Sequence, residues 1–222
     1  MEEEHVYFRS GNLLLEGAIH WPSGEGPFPA AVVCHPHPLY GGDMDNNVVL
    51  AVAQALASQN AVALRFNFRG TGNSDGSYGD GIGEQEDVSS AVSFISGQLR
   101  VDASRIAIVG YSFGAFAGGA AAVSDRRVGA LVGISPPITM FDFAFLRDYR
   151  RPKLLIAGDQ DNFVPLDDFR EWTAQLPEPK QVHVVPRGTH FWVGHERTLS
   201  EAVVNFLRAQ AFGSTRVDNR PA

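Results

Sequence analysis

The chain has 222 residues, of which 44% are hydrophobic and 19% are charged, and its formal net charge is -7. This composition is that of a globular protein with enough apolar residues for a sizeable core, which excludes a fibrous or intrinsically disordered chain. The negative charge offers no field that would attract phosphate backbones or anionic lipids, so we expect neither nucleic acid nor a membrane as a partner.

The cysteine content and the first residues indicate the compartment. Cys34 is the single cysteine, so the chain forms no intrachain disulfide. Residues 2–5 are Glu-Glu-Glu-His, where a secretory signal would begin with positive charge and continue into an apolar run. No apolar stretch approaches the roughly 18 residues of a membrane span. We therefore expect a cytoplasmic protein, a monomer or a homodimer, whose partner is a small molecule.

In chain order, the first predicted elements are two strands over residues 6–9 and 13–21, joined by a Gly-Asn dipeptide that is a strong hairpin signal. Short apolar runs then alternate with segments of helical periodicity, which indicates a parallel sheet. The six further strands are predicted at residues 30–34, 61–68, 105–110, 128–134, 153–157 and 181–185. Helices are predicted near residues 46–58, 84–99, 113–123, 169–176 and 199–207.

Three of the strand runs, AVVC, IAIV and LLIA, are apolar on consecutive residues, which is typical of strands covered by helices on both faces. The predicted fold class is α/β, a mostly parallel sheet of eight strands with helices on both faces. One domain spans residues 1–222, with residues 214–222 as a flexible tail. Only residues 136–152 separate two successive strands at the point where a large cap domain would be inserted, so we expect none.

The chemistry of the chain is expected where strands end, because ligands of such sheets bind at the carboxyl ends of the strands. Residues 110–114 are Gly-Tyr-Ser-Phe-Gly, between a predicted strand and a predicted helix. In that context Gly-x-Ser-x-Gly forms a sharp turn that exposes the serine hydroxyl. The alternative is a serine in a tight turn whose glycines serve conformation alone. We predict that Ser112 is a catalytic nucleophile.

A serine nucleophile needs a histidine base, and the histidine needs a carboxylate that fixes its tautomer. In the nucleophile-elbow fold the chain order is serine, acid, histidine. The acid is expected after the next-to-last strand, in the sequence Gly-Asp-Gln-Asp-Asn that begins at residue 158. We predict Asp161, with Asp159 as the alternative.

Three histidines follow the predicted acid. His183 lies within the last predicted strand, and His195 lies near the start of the last helix, where it suits a surface or capping role. His190 lies in the loop between that strand and that helix, beside Gly188 and Thr189. We therefore predict that His190 is the base.

Three motifs carry a resemblance to a known family: HPHPLYGG at residues 35–42, RFNFRG at residues 65–70, and GYSFG at residues 110–114. From residue 13 to residue 212 the chain resembles the α/β-hydrolase superfamily. More narrowly, it resembles small bacterial serine hydrolases and carboxylesterases related to the dienelactone-hydrolase branch. Dienelactone hydrolases use a cysteine at the elbow, whereas this chain has Ser112, so the resemblance implies a serine esterase.

Acyl transfer to a serine needs two donors for the developing oxyanion, of which the main-chain N–H of Phe113 is one. The second is expected in the loop after the third strand. Pro36 and Pro38 have no N–H, which leaves His37, Leu39 or a residue just beyond. The resemblance places HPHP where the superfamily has His-Gly-x-Pro, which implies His37, with Leu39 in reserve.

The segment at residues 136–152 concentrates phenylalanines that suit an apolar acyl pocket, although they suit the core or a dimer contact equally well. An uncapped site favours small, soluble esters over long lipids. The residues expected to line the pocket are Tyr40, Tyr111, Phe141, Phe143, Phe163 and Phe191.

Two further motifs are weak evidence for a metal site and for a nucleotide-binding or phosphate-binding loop. His35 and His37 are two residues apart but have no convincing third ligand, so we expect no metal, and nothing in the sequence calls for a cofactor. The glycine-rich residues 69–76 follow a strand but lack both the dinucleotide-binding glycine pattern and the phosphate-binding lysine. We expect this loop to form part of the rim of the pocket.

The sequence thus predicts a serine hydrolase that cleaves small carboxylic esters through a Ser-His-Asp triad and an acyl-enzyme. The alternatives are a thioesterase or a serine peptidase on the same fold, or a non-catalytic binding protein of hydrolase-like structure.

Overall fold

The eight strands form one sheet in the computed structural model, which describes residues 2–213, so the predicted tail at residues 214–222 lies outside the described residues. The strands are β1 (Glu2–Ser10), β2 (Leu13–Trp21), β3 (Phe28–Cys34), β4 (Val62–Phe66), β5 (Val101–Tyr111), β6 (Val128–Ile134), β7 (Lys153–Gly158) and β8 (Lys180–Val185). The helices are α1 (Asn47–Ser58), α2 (Ile82–Ser96), α3 (Phe113–Ser124), α4 (Leu166–Gln175) and α5 (Glu196–Gln210).

The strand order is β1-β2-β4-β3-β5-β6-β7-β8. β2 pairs antiparallel with both β1 and β4, whereas every neighbouring pair from β4 to β8 in this order is parallel. The carboxyl ends of β3, β5, β7 and β8 therefore meet at one edge of the sheet, where the loops that carry the predicted site begin. The predicted fold class is confirmed.

Helices cover both faces of the sheet. Neighbouring residues of its central strands point to opposite sides, so each strand contributes to a core on each face. Val32 belongs to the buried cluster under α2 and α3, whereas Val33 belongs to the cluster under α1 and α5. Ile108 and Val109 alternate in the same way. The consecutive apolar residues of these strands thus serve two cores, as the sequence pattern predicts.

β1 is longer than predicted and begins with three glutamates of low β-propensity. All nine of its residues pair with β2. The Glu4 carboxylate accepts a 2.7 Å hydrogen bond from Trp21 Nε1, and Glu3 forms a 2.8 Å ion pair with Arg65. Pairing and tertiary contacts therefore override local preference in this strand.

The second predicted helix, near residues 84–99, is too long at its carboxyl end. α2 ends at Ser96 before Gly97, so Leu99 lies outside the helix and is fully exposed. The segment between β6 and β7 holds only a short 3₁₀ turn over Ala144–Asp148. Within residues 2–213 no helix is both long and apolar enough to cross a membrane.

Candidate active site

The predicted nucleophile lies on a sharp turn between β5 and α3. Ser112 has φ 53 and ψ -120, a strained conformation for a residue with a side chain, and its N–H donates a 2.8 Å hydrogen bond to the Ile134 carbonyl. A Cβ atom on Gly114 would overlap the main chain at Cys34, and one on Gly110 would overlap the main chain of Gly114. The two glycines of the motif are therefore required by close packing of the turn.

Three side chains meet at this turn in a hydrogen-bonded series. His190 Nε2 lies 3.0 Å from Ser112 Oγ, and His190 Nδ1 lies 2.9 Å from Asp161 Oδ2. With Asp161 ionised, the Nδ1–H donates to the carboxylate and Nε2 accepts from the serine hydroxyl. All three residues are buried. The structure thus brings together the residues predicted from the sequence as nucleophile, base and acid.

Asp161 is fixed by the loop that follows β7. Its Oδ1 accepts hydrogen bonds from the N–H groups of Phe163 (2.9 Å) and Val164 (3.1 Å). Asp159, the alternative acid, instead accepts a 2.6 Å bond from the N–H of Arg187 and is exposed. Asp159 therefore connects the acid loop to the loop that carries His190, and it is Asp161 that contacts the imidazole.

His190 is positioned by the loop between β8 and α5. Its carbonyl accepts a 2.7 Å hydrogen bond from Tyr111 Oη, and its ring centroid lies 4.7 Å from that of Phe163. The two histidines considered against it lie elsewhere: His183 is exposed on the edge strand β8, and His195 is the residue before α5.

The two residues predicted as oxyanion donors lie in the loop after β3 and at the start of α3. Phe113 is the first residue of α3, where N–H groups have no partner within the helix. His37 precedes a 3₁₀ turn over Pro38–Tyr40, and it lines the same cleft as Ser112 and Phe113. The N–H of Leu39, the reserve donor, already donates to His37 Nδ1 at 3.2 Å.

An open cleft of about 450 Å³ lies over the serine. Its lining is mainly aromatic and apolar, and none of the described residues that line it is Asp, Glu, Lys or Arg. Five of the six predicted pocket residues line it: Tyr40, Tyr111, Phe141, Phe163 and Phe191.

Phe143 was predicted to line the pocket, and this is wrong. It is 4% exposed and packs in the core, with its ring centroid 5.5 Å from that of Phe145 and 5.4 Å from that of Trp172. Alternate residues share a side only in an extended strand. Here the N–H of Phe141 bonds back to the Pro137 carbonyl, so the segment is not an extended strand and the alternation of a strand does not relate Phe141 to Phe143.

Sequence reasoning missed several residues of the cleft. Met140, Pro137 and Asn46 line it, and Met140 is exposed at its rim. Met140 and Pro137 belong to the same segment as Phe141, so extending the prediction from phenylalanines to the whole segment would have included them. Asn46 precedes α1 and caps it by accepting from the N–H of Val48, and nothing in the sequence connects it to the serine.

The glycine-rich loop at residues 69–76 does not contribute to this lining, contrary to expectation. It lines a separate polar depression that shares Gly41 and Gly42 with the cleft. The loop is held by Glu16, whose carboxylate accepts from Asn67 Nδ2 (2.6 Å) and Asn73 Nδ2 (2.8 Å). A Cβ atom on Gly72 would overlap the side chains of Glu16 and Asn67, so this glycine is required by the packing of the loop.

His35 has a structural role. Its Nε2 accepts a 3.1 Å hydrogen bond from the N–H of Phe68, and its Nδ1 donates a 2.6 Å bond to the Pro36 carbonyl. Both nitrogens of this buried ring are thus engaged, and burial lowers its pKa to about 4. No group of three His, Cys, Asp or Glu side chains among the described residues is arranged to hold a metal.

Sheet order, the strained turn at Ser112 and the adjacent histidine and aspartate define an α/β serine hydrolase. The chain belongs to the family described as X-Pro dipeptidyl-peptidase (S15 family), whose sequence model matches residues 11–152. A second family model, described as PhoPQ-activated pathogenicity-related protein, matches residues 120–218.

The chain is also similar to individual proteins and solved structures. An uncharacterized protein of Rickettsia prowazekii is 31% identical over 211 residues, which cover 91% of this chain and 87% of the relative. An alpha-beta serine hydrolase homologue from Coxiella burnetii is 32% identical, covers 92% of this chain and 97% of its own, and superimposes with a TM-score of 0.84.

A solved structure from Xanthomonas campestris is described as an α/β serine hydrolase without lid. It is 30% identical to this chain, covers 97% of both chains and has a TM-score of 0.85. The relation to the dienelactone-hydrolase branch stays a prediction.

Proposed function

We propose that this α/β serine hydrolase cleaves small, uncharged carboxylic esters through Ser112, His190 and Asp161. The observation that carries the proposal is the hydrogen-bonded series of these three side chains beneath an apolar cleft. A serine hydroxyl is a poor nucleophile unless a base removes its proton. His190 Nε2 lies 3.0 Å from the Ser112 oxygen, within hydrogen-bond distance of that proton.

The reaction has two halves. In the first, Ser112 Oγ attacks the ester carbonyl while His190 takes its proton, and the tetrahedral oxyanion is stabilised by main-chain N–H groups at Phe113 and His37. Collapse breaks the bond to the alcohol, which leaves with the proton from His190. In the second half, water loses a proton to His190 and attacks the acyl-enzyme; the bond to Ser112 Oγ then breaks, His190 returns the proton to that oxygen, and the acid is released.

The second candidate function is that of a peptidase, which the description of the matched family favours. A peptidase that removes residues from a free N-terminus needs an acidic group for the charged amine. The described residues that line the cleft include no Asp or Glu. An uncharged ester leaves no buried charge unpaired in such a cleft, so the lining supports the ester.

Covalent labelling tests the proposed nucleophile. A fluorophosphonate probe, followed by mass spectrometry of the digested protein, is expected to modify Ser112 and to leave the Ser112→Ala variant unmodified. Ser112→Ala is also expected to lower the turnover of p-nitrophenyl butyrate by at least about 10³-fold. A wild-type protein that stays unlabelled would instead favour a non-catalytic binding protein.

Substrate class is tested with chromogenic esters and chromogenic peptide anilides. We expect turnover of p-nitrophenyl acetate and butyrate, and little or none of dipeptidyl p-nitroanilides with proline in the second position. The reverse preference would assign the peptidase activity. Each rate is compared with that of Ser112→Ala to remove background hydrolysis.

A further inference from the structure

Both ring nitrogens of His37 are engaged, although the proposed mechanism uses only its main-chain N–H. The N–H of Leu39 donates a 3.2 Å hydrogen bond to His37 Nδ1, which fixes Nδ1 as an acceptor. The proton of the neutral ring is therefore on Nε2, which lies 3.3 Å from Tyr78 Oη and donates to it. Burial lowers the pKa of His37, which favours this neutral form.

The main chain of His37 also closes the turn of its loop. Its carbonyl accepts hydrogen bonds from the N–H groups of Tyr40 (3.1 Å) and Gly42 (3.0 Å). A Cβ atom on Gly42 would overlap the main chain at Pro36 and His37, so the loop closes tightly on itself. The ring of His37 is joined to this closed turn through the N–H of Leu39, which donates to Nδ1.

The contact with the His37 ring comes from a segment that is hydrogen-bonded to α2. Tyr78 immediately precedes Gly79, whose N–H donates a 2.8 Å bond to the carboxylate of Glu84, and the N–H of Gly81 donates a 2.9 Å bond to the other oxygen. Glu84 is fully buried at the start of α2. Tyr78 is thus held by the body of the protein and not by the loop that it contacts.

The ring of His37 also connects the two proposed oxyanion donors. Its centroid lies 4.8 Å from that of Phe113 and 5.0 Å from that of Tyr78, and the Tyr78 and Phe113 rings are 5.9 Å apart. The three rings form one packed group beside the serine.

We propose that Tyr78 and the His37 imidazole form a positioning pair that orients the main-chain N–H of His37 toward the oxyanion. This inference rests on the proposed function, because it assigns how one of the two oxyanion donors is held. Neither side chain takes part in proton transfer. Their effect is on the geometry of the donor, which matters when negative charge develops on the carbonyl oxygen.

The test is a double-mutant cycle on Tyr78→Phe and His37→Asn, with p-nitrophenyl butyrate as substrate. The shorter asparagine side chain keeps an acceptor for the N–H of Leu39 but does not reach Tyr78. Loss of an entire oxyanion donor costs about 10² to 10³ in kcat, and we expect about tenfold for a loosened one, with KM within about twofold. Tyr78→Phe is expected to lower kcat in the wild-type background and to have no further effect beside His37→Asn.

Three further measurements separate positioning from general damage. His37→Ala, which also loses the acceptor for Leu39, is expected to be less active than His37→Asn. Affinity for a boronic acid, which forms a tetrahedral adduct with the serine, is expected to fall in parallel with kcat. Tyr7→Phe, at an exposed tyrosine of β1, is the matched control and is expected to leave both constants unchanged.

Additive effects of the two substitutions, or a rise in KM at constant kcat, would overturn the positioning pair. Prolonged fluorophosphonate labelling distinguishes this failure from that of the proposed function. If Ser112 is labelled in the wild type and in every variant, but the two substitutions have additive effects, then only the positioning pair is refuted. If wild-type Ser112 is never labelled, it is the proposed function that fails.

Discussion

The Oη of Tyr111 donates a 2.7 Å hydrogen bond to the main-chain carbonyl of His190, 79 residues further along the chain. Tyr111 is the residue before the serine on the turn, and it is buried. One hydroxyl therefore connects the turn that carries Ser112 to the loop that carries the histidine.

Removing that hydroxyl tests how strongly the loop depends on it. Tyr111→Phe keeps the ring beside His190 but leaves a buried carbonyl without its donor, which we expect to cost about 1 kcal/mol in the free energy of unfolding. The kcat for ester hydrolysis is expected to fall by about tenfold, because small displacements of a base are costly. Urea unfolding and steady-state kinetics measure the two effects, and unchanged kcat would mean that the loop is held without Tyr111.

The two aspartates of the acid loop provide a matched pair. In Asp161→Asn, Oδ1 still accepts from the N–H groups of Phe163 and Val164, so the amide NH₂ replaces Oδ2 opposite His190 Nδ1. That donor favours the wrong imidazole tautomer, and kcat is expected to fall by about 10³-fold or more.

The Asp159→Asn substitution is the control for that experiment. An amide oxygen at this position still accepts from the N–H of Arg187, and the side chain is exposed. We expect kcat within about threefold of the wild type and a stability change of at most about 0.5 kcal/mol. A larger loss of activity in Asp159→Asn than in Asp161→Asn would exchange their proposed roles.

Phe141 and Phe143 are expected to respond differently to truncation. Phe143 is buried among core side chains, so Phe143→Ala is expected to lower the free energy of unfolding by about 3 to 5 kcal/mol. Phe141 lines the cleft, so Phe141→Ala is expected to change the preference among acetyl, butyryl and hexanoyl esters with a smaller loss of stability. Thermal unfolding measures the loss of stability in each variant, and a series of acyl esters measures the change in substrate preference.

His35 gives the stability of the protein a defined pH dependence. Its pKa is lowered from 6.5 to about 4 by burial, so below about pH 6.5 the unfolded chain binds a proton that the folded chain does not. Its contribution therefore makes unfolding easier as pH falls from about 6.5 to about 4, by about 3 kcal/mol in total, and has no effect above that range.

The measurement is urea unfolding at several pH values, in the wild type and in His35→Gln. The glutamine keeps an acceptor for the N–H of Phe68 but does not titrate, so the stability difference between the two proteins is expected to shrink as the solution is acidified. His5→Gln, at an exposed histidine, is expected to keep the wild-type slope. Parallel curves for all three proteins would contradict the role of His35.

The sequence was sufficient for the parts of the fold that rest on local patterns. Consecutive apolar residues indicate the central strands, and the order of serine, aspartate and histidine follows from where those strands end. The structure brings Ser112, Asp161 and His190 within hydrogen-bond distance, while their catalytic roles stay a proposal.

Tertiary contacts explain what the sequence did not predict. Glu3 and Glu4 belong to β1 because Arg65 and Trp21 bind their carboxylates, and both partners are distant in sequence. Phe143 does not line the cleft because it packs against Phe145 and Trp172, and no period in its segment indicates these contacts. The ring of His37 contacts Tyr78 from another loop, a contact that spacing along the chain does not indicate.

The burial of Cys34 beneath the turn at Ser112 has a practical consequence. Thiol reagents attack the thiolate, and burial raises the pKa of this cysteine well above its usual range. Maleimide dyes at neutral pH are therefore expected to leave the native protein unmodified. Since the chain has no other cysteine, Met140→Cys would introduce one reactive thiol at the rim of the cleft, and a fluorophore attached there would report directly on ligands that enter.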